Sequence, residues 1–93
     1  MRFRVSVNVM PRSEISDPQG QAVERTLPGI GFQAFTRVRI GKRINFLLEA
    51  ADKSAAEAAV SSACERLLAN PVIEEFEFEI SPDEEPAPGE GSG

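Results

Sequence analysis

The spacing of apolar residues changes along this chain of 93 residues, and the order of those changes limits the folds open to it. Apolar and polar residues alternate over residues 2–10, which predicts a strand with one buried face. Helical spacing follows Pro18 briefly and later extends over residues 54–69. Alternation returns in three further segments, which are residues 35–40, 44–48 and 72–80. The predicted order of elements is therefore β-α-β-β-α-β.

Boundary residues support the first of the two predicted helices. Asp17 is a good N-cap, and Pro18 fits the first helical position because that position needs no backbone N–H. Pro28 and Gly29 predict the end of the helix. The apolar stripe between them consists of Ala22, Val23 and Leu27.

The second half of the chain carries its own boundary signals. Gly41-Lys42-Arg43 predicts a hairpin turn in which Gly41 is free to take a positive φ. Ser54 and Glu57 have the spacing of a capping box, which predicts the start of the second helix. Asn70-Pro71 predicts its end. The apolar face of this helix consists of Ala56, Val60, Ala63, Leu67 and Leu68.

This order of elements is typical of a ferredoxin-like α+β unit, which has an antiparallel sheet and two helices on one face. In that fold the last strand lies antiparallel to the first. We therefore expect the face of the last strand that carries Glu75, Glu77 and Glu79 to lie beside Arg2 and Arg4. Opposite charges on neighbouring strands stabilise a sheet by roughly 0.2–1 kcal/mol for each pair.

Charge divides the chain into a nearly neutral domain and an acidic tail. The formal net charge is −5, from 10 basic and 15 acidic residues. Residues 82–93 are rich in Pro and Gly and hold four of the acidic residues but none of the basic ones, so we expect them to be disordered. Residues 1–81, with 10 basic and 11 acidic residues, form the predicted α+β domain. Because binding to the phosphate backbone of a nucleic acid needs an excess of basic residues on one face of the protein, this balance disfavours nucleic acid as a partner.

Several classes of protein are excluded by what the sequence lacks. It has no apolar run near the roughly 20 residues that span a bilayer, and its amino terminus alternates, unlike a secretory signal, so we expect a cytoplasmic protein. His is absent and Cys64 is the one cysteine, which excludes a disulfide framework, a zinc ligand set and a histidine-activated nucleophile within the chain. A domain this small buries only about 60–65% of its unfolded surface, which favours oligomerisation.

Three motifs that suggest chemistry have simpler structural explanations. Residues 29–34 match the dinucleotide-binding pattern G-x-G-x-x-A, but they follow a helix and precede a strand, the reverse of the required order. We expect them to end the first helix. Cys64 lies on the apolar side of the second helix, which predicts an inert buried thiol. The glutamates of residues 74–79 resemble a carboxylate metal site, but we expect a solvated sheet face. We predict no catalytic, cofactor-binding or metal-binding residues.

Two segments are less easily explained by folding alone. Residues 11–20 form a long connection between strand and helix, and Gly20 lies where alanine would stabilise the helix by about 1 kcal/mol. A glycine there indicates that another backbone or a partner packs closely. Residues 38–42, which include Arg39 and Lys42, form a cationic segment. This segment is either solvated or a docking surface for an acidic partner.

These same segments resemble the PurS subunit family of phosphoribosylformylglycinamidine synthase. The most specific parts are Asp17-Pro18-Gln19-Gly20 and, after the second helix, Asn70-Pro71-Val72-Ile73-Glu74. Gly31-Phe32 and Val38-Arg39-Ile40-Gly41-Lys42 resemble the middle of the family sequence. The similarity runs in order and with matching spacing from residue 1 to about residue 80, and it leaves out the acidic tail.

The resemblance implies a non-catalytic subunit of an ATP-dependent ligase complex in purine biosynthesis. The family acts with the synthetase PurL, which uses ATP and Mg, and the glutaminase PurQ, converting formylglycinamide ribonucleotide and glutamine to formylglycinamidine ribonucleotide. Its members form dimers that can pair further, bring the larger subunits together and are suspected of a part in ammonia transfer. The residues suggested for subunit contacts, some of which equally shape turns, are Arg12, Asp17, Gln19, Gly20, Arg39, Gly41, Lys42, Asn70 and Pro71.

A free-standing ferredoxin-like regulatory module that binds a small ligand is the alternative hypothesis. It shares the predicted order of elements, but it needs a polar, concave ligand site that the sequence does not locate. An independent small enzyme is a third hypothesis, in which carboxylates, Lys or Arg would have to carry the chemistry.

Overall fold

The computed structural model describes residues 1–83 and confirms the α+β class, with an antiparallel sheet and two helices. The strands are β1 (Arg2–Pro11), β2 (Lys42–Glu49) and β3 (Glu74–Pro82). The helices are α1 (Pro18–Thr26), which a 3₁₀ turn extends over Leu27–Ile30, and α2 (Lys53–Ala63), which a π turn extends over Cys64–Leu68. β3 continues one residue past the predicted domain end at 81, and residues 84–93 of the predicted tail lie outside the described residues.

β1 is the central strand of the sheet, with β2 and β3 antiparallel on either side of it. Val5, for example, lies opposite Phe46 on β2 and opposite Ile80 on β3. The predicted antiparallel pairing of the first and last strands is therefore confirmed. The predicted alternation in β1 is confirmed as well, because each apolar member is at most 1% exposed; these residues are Phe3, Val5, Val7 and Val9.

α2 packs on the face of the sheet that carries these buried side chains. Ala56, Val60 and Cys64 recur every four residues along this helix, and each is at most 1% exposed. Residues with this spacing share one face of a helix, so they join the β1 side chains in the hydrophobic core. Alternate residues of the outer strands flank this core; they are Ile44, Phe46, Leu48, Phe76, Phe78 and Ile80.

The two helices begin with carboxylate caps. Asp17 caps α1 and Pro18 is its first residue, both as predicted. The predicted capping box of Ser54 and Glu57 is wrong, because α2 begins at Lys53 and Asp52 is its N-cap, two residues before Ser54, with Oδ1 accepting the N–H of Ala55 at 2.8 Å. An aspartate oxygen at the N-cap accepts an otherwise unpaired N–H of the first helical turn, which is the role predicted for the Ser54 hydroxyl.

The predicted strand at 35–40 is wrong, because residues 31–41 form neither strand nor helix. The predicted turn at Gly41–Arg43 is wrong for the same reason, since Lys42 and Arg43 already pair with β1 in the sheet. The cause lies in α1. Carboxylates of α1 and its cap accept the backbone N–H groups of Val38 and Ile40, which a strand would use in its ladder.

We call residues 18–41, which comprise α1, the 3₁₀ turn and the irregular segment, the arm. Within α1 only Gly20 is buried, and no residue of this helix belongs to the hydrophobic core. Of the predicted apolar stripe, Ala22 and Val23 are exposed and Leu27 is half-buried. The 3₁₀ turn ends at Gly31, whose φ of 99° confirms that the glycine-rich motif terminates the helix.

Arg2 and Arg4 share the face of the sheet that carries the β3 glutamates, as expected, but they do not lie directly opposite them. The register places Glu75, Glu77 and Glu79 opposite Met10, Asn8 and Ser6. Because β3 runs past residue 80, the two arginines lie near its end instead. Arg2 Nε and Arg4 Nη2 bind the two carboxylate oxygens of Asp83 at 2.8 and 2.9 Å.

Candidate functional site

The residues predicted for subunit contacts gather at one end of the sheet. This end combines the last residues of β1, the first turn of α1 and the first residues of β2 and β3, and an open cleft of about 270 Å³ lies between them. Four of the predicted residues line the cleft, namely Asp17, Gln19, Gly41 and Lys42. The remaining five take part in backbone contacts around the cleft; they are Arg12, Gly20, Arg39, Asn70 and Pro71.

Asp17 joins the start of α1 to the end of the arm. Its Oδ1 accepts the N–H of Gly20 at 3.0 Å, and its Oδ2 accepts the N–H of Ile40 at 2.8 Å. The bond from Ile40, then the bond from Gly20 and the charge of Arg39, hold the pKa of the Asp17 carboxyl below its ordinary value of 3.8, against the opposing effect of burial. Asp17 therefore acts as a charged clasp between two backbone segments.

Arg39 points inward and binds the connection that follows β1. Its Nη2 donates to the carbonyl oxygens of Arg12 at 2.8 Å and Pro11 at 3.1 Å, and its Nη1 donates to that of Ser13 at 3.3 Å. Its buried Nε makes no hydrogen bond with the described residues and lies 3.7 Å from Asp17 Oδ2, an ion-pair distance. The hypothesis that the cationic segment 38–42 is solvated is therefore wrong for this residue.

Two glycines of the site permit close backbone contacts. A Cβ on Gly20 would collide with the carbonyl oxygen of Val38, which confirms the prediction that another backbone packs against this helix. A Cβ on Gly41 would collide with the carbonyl oxygen of Val9 and the sulfur of Met10. Gly41 does not have the predicted positive φ, so its requirement for glycine is one of space.

Arg12 fixes the loop between α2 and β3. Its Nε and Nη2 donate to the carbonyl oxygen of Pro71 at 3.0 and 2.7 Å, and its backbone N–H donates to Ile73 at 2.9 Å. These bonds join the connection after β1 to residues 59 to 61 positions further along the chain. Arg12 and Pro71 are therefore brought together, as positioning groups for this loop.

Asn70 organises the same loop from within. Its Oδ1 accepts the N–H of Val72 at 3.1 Å, and its carbonyl oxygen accepts those of Ile73 and Glu74 at 3.0 and 2.7 Å. Its own N–H donates to Glu74 Oε1 at 2.7 Å. Asn70 therefore shapes a turn after the helix stop that the sequence predicted.

Gln19 and Lys42 differ from the other predicted residues because their side chains are uncommitted. Both are exposed, and neither side chain makes a hydrogen bond or ion pair with any of residues 1–83. Both side chains therefore remain available to another molecule.

Sequence reasoning missed one polar contact and two displayed apolar residues. Glu24 Oε1 accepts the N–H of Val38 at 3.0 Å, and no feature of hydropathy marks this residue. Leu67 and Val72 are 82% and 79% exposed. Helical spacing places Leu67 on the apolar face of α2, and the π turn over Cys64–Leu68 rotates it away from that face, a change that local spacing does not reveal.

The described residues hold no group of three or more His, Cys, Asp or Glu side chains that could bind a metal ion. The thiol of Cys64 is fully buried, as predicted, and burial together with the charge of Glu65 raises its pKa, which makes a thiolate nucleophile unfavourable. Within residues 1–83, no helix is long and apolar enough to span a bilayer. The carboxylates and guanidinium groups at the cleft hold backbone atoms.

Fold and site together define a small α+β protein with an open cleft and uncovered apolar surface, suited to contacts with other proteins. Its sequence matches the family PurS, phosphoribosylformylglycinamidine (FGAM) synthase, over residues 4–82. The chain belongs to the PurS family, whose members are subunits of FGAM synthase. The sequence resemblance and its fold are thereby confirmed.

Individual relatives are similar over most of their length. The PurS subunit of Thermotoga maritima is 40% identical over 75 residues, which cover 81% of this chain and 92% of the relative. The PurS subunit of Mycobacterium leprae is 44% identical over 73 residues, which cover 78% and 89%. Among solved structures, Bacillus subtilis PurS has a TM-score of 0.79 at 35% identity, covering 86% of this chain and 99% of that one. A chain of PurLQS from T. maritima has a TM-score of 0.80 at 37% identity, covering 87% and 99%.

Proposed function

We propose that this chain is the small assembly subunit of a cytoplasmic FGAM synthase and brings a PurL synthetase and a PurQ glutaminase together. In this complex ATP and glutamine drive the conversion of formylglycinamide ribonucleotide to formylglycinamidine ribonucleotide. The supporting observation is the match to a chain of PurLQS from T. maritima, which spans 99% of that chain.

The chemistry of the site supports a role in assembly for this subunit. Proton transfer or nucleophilic attack needs a side chain that is free to reach the reacting atoms. Asp17, Arg12 and Arg39 are instead committed to backbone groups of the same chain. We assign ATP and Mg to the synthetase subunit and no cofactor to this chain.

Self-association is part of the proposal, because the arm presents apolar surface that its own chain leaves open. Ile30, Phe32 and Phe35 are 65%, 47% and 52% exposed, and the two phenylalanine rings pack edge to face with centroids 5.4 Å apart. A nearly apolar groove beside them is lined by Ala22, Val23, Thr26, Leu27 and Ile30. A second copy that covers this surface would complete the two-helix α+β unit, giving a dimer that can pair further.

Reconstitution tests this function. Purified chain is mixed with PurL and PurQ subunits of the same organism, and size-exclusion chromatography is combined with assays of glutamine-dependent and ammonia-dependent FGAM synthesis. We expect co-elution and a gain in the glutamine-dependent activity alone. PurL and PurQ without this chain are the control.

The assembly role would be abandoned if the chain neither co-elutes with PurL and PurQ nor restores the glutamine-dependent reaction. The 270 Å³ cleft is the observation that favours a ligand-binding regulatory module as the second candidate. Strong thermal stabilisation of the isolated chain by an amino acid or a nucleotide, without binding to PurL or PurQ, would support that candidate.

A further inference from the structure

The cleft and the loop beside it form one surface, to which the arm contributes Gln19 and Ile40. Ile15, Ile40 and Ile73 give the cleft an apolar floor, and Gln19 and Lys42 lie among its lining residues. Ile73 also belongs to the loop that displays Val72, so the floor continues into exposed apolar surface. We name these six residues the cleft–loop surface.

We propose that the cleft–loop surface binds a segment of one of the larger subunits in which an apolar side chain lies next to a carboxylate. The inference rests on the proposed function, since it assigns a surface to the contact with PurL or PurQ. Three properties of the surface support it, which are the rigidity of the loop, the charge of the cleft and the extent of the apolar surface.

The loop is held firmly even though it exposes apolar side chains. Val72 is 79% exposed and Ile73 is 40% exposed. Their backbone N–H groups are bound by Asn70, and the carbonyl oxygens of Pro71 and Ile73 are bound by Arg12. A surface that is ordered before binding loses little conformational entropy on association, which favours its use as a binding anchor.

The charge of the cleft favours an acidic partner group. Two carboxylates line the cleft and both are engaged. Asp17 accepts two backbone N–H groups and lies 3.7 Å from Arg39 Nε, and Glu74 Oε1 accepts the N–H of Asn70. Lys42 is the cation of the lining that has no partner among residues 1–83. A carboxylate placed there would meet an uncommitted ammonium group and the nearby amide of Gln19, whereas a cation would meet Lys42 as a like charge.

The extent of the apolar surface favours a protein segment over a small carboxylate ligand. A small molecule that fills the cleft leaves the Val72 side chain in water. A protein segment can place one apolar side chain on the isoleucine floor and cover Val72 at the same time, which adds the burial of both to the binding free energy.

Two substitutions in the full chain test the surface, each with a matched control elsewhere. Lys42→Glu reverses the uncommitted charge, and Lys53→Glu makes the same change at the exposed first residue of α2. Val72→Asp places a charge on the loop, and Leu47→Asp does so at a residue of β2 that is 55% exposed. Circular dichroism and light scattering of each variant alone establish that the fold and the self-association are unchanged.

Binding of fluorescently labelled chain to a mixture of PurL and PurQ is then measured at low and at physiological salt. We expect Lys42→Glu and Val72→Asp each to weaken binding at least tenfold, with the effect of Lys42→Glu larger at low salt, and both controls to change it less than threefold. Separate titrations with PurL and with PurQ identify the subunit that provides the segment.

The outcomes separate this inference from the function on which it rests. If the unmodified chain fails to bind, the assembly function itself is wrong. If the unmodified chain binds and Lys42→Glu and Val72→Asp bind equally well, the cleft–loop surface is wrong. Loss of self-association in Lys42→Glu, or stabilisation of the isolated chain by free glutamate that Lys42→Glu abolishes, would assign the surface to a second copy or to a small ligand and overturn the proposal.

Discussion

Two regions of the molecule are stabilised in different ways. One is the sheet together with α2, and the other is the arm. In the first region the inward-facing side chains of β1 and one stripe of α2 are almost completely removed from water. In the arm the apolar side chains are largely exposed. Its irregular segment is held by hydrogen bonds to the carboxylates of Asp17 and Glu24, and it packs closely against α1 because Gly20 has no side chain. One region is fixed by burial within the chain, and the other by a few polar contacts that leave its apolar residues open to a partner.

Truncation of a core aromatic residue should separate the two regions most clearly. Phe3 is 1% exposed on the central strand, so Phe3→Ala is expected to lower the free energy of unfolding by about 3–5 kcal/mol. That is a large part of the stability of a small domain. Urea unfolding followed by circular dichroism, at a concentration where the chain is monomeric, measures the change.

The same truncation in the arm provides the comparison for Phe3→Ala. Phe35 is 52% exposed, and Phe35→Ala should change the unfolding free energy of the monomer by less than about 0.5 kcal/mol while weakening self-association. Equal losses of stability for the two variants would show that the arm is part of the cooperative core.

The contact between α1 and the irregular segment should respond to one added methyl group. In Gly20→Ala the new Cβ collides with the Val38 carbonyl oxygen, and overpacking of about 1–3 kcal/mol is only partly offset by the better helix propensity of alanine. We expect a net loss of about 1–2 kcal/mol in unfolding free energy, together with faster hydrogen exchange at Val38 and Ile40.

Gly29→Ala is the matched control for that substitution. A Cβ at Gly29 has no neighbouring atom within 4 Å, so we expect this variant to be within about 0.5 kcal/mol of the original chain. If Gly20→Ala is equally well tolerated, the close approach of Val38 does not hold the arm.

Removal of the N-cap of α2 tests where the helix that packs in the core begins. Asp52 caps α2 through Ala55, so Asp52→Ala should cost about 1 kcal/mol of unfolding free energy, as removal of an N-cap generally does. Ser54→Ala, at the residue that the sequence suggested as the cap, should leave the stability unchanged within about 0.5 kcal/mol. Thermal unfolding followed by circular dichroism compares the two, and a reversed ranking would restore the predicted capping box.

The comparison also explains which features the sequence could predict. Alternation was a reliable guide in β1 because α2 covers that face, so a shift by one residue would expose every valine. Alternation at residues 35–40 was misleading, because side chains from α1 and its cap take the backbone N–H groups of Val38 and Ile40. A side chain 14 or 23 residues away in the chain cannot be identified as such a partner from local periodicity.

The candidate site was predictable in its position and not in its contacts. Gly20 stood out because glycine is unfavourable in a helix, and the structure supplies the backbone that requires it. Arg39 was expected either to be solvated or to dock an acidic partner, and nothing in its own segment indicates that its acceptors are three carbonyl oxygens at the end of β1. Residue types therefore marked the site, whereas the direction of each side chain required the tertiary structure.

The smallest expected effect is a pH response that is confined to the arm. Because hydrogen bonds in the folded chain lower the pKa of Asp17 below 3.8, the charged clasp is complete above that value and is lost as the pH falls through the lowered pKa. The amide proton shifts of Gly20 and Ile40 should therefore stay constant from pH 7 to about pH 5 and move together below about pH 4. Asp17→Asn should remove this transition, while the amides of β1 should keep their shifts in both proteins. If the β1 amides move over the same range as Ile40, acid unfolds the whole domain at once and the two regions are not independently held. If Gly20 and Ile40 respond together while the β1 amides do not, the clasp is what fixes the arm to the sheet.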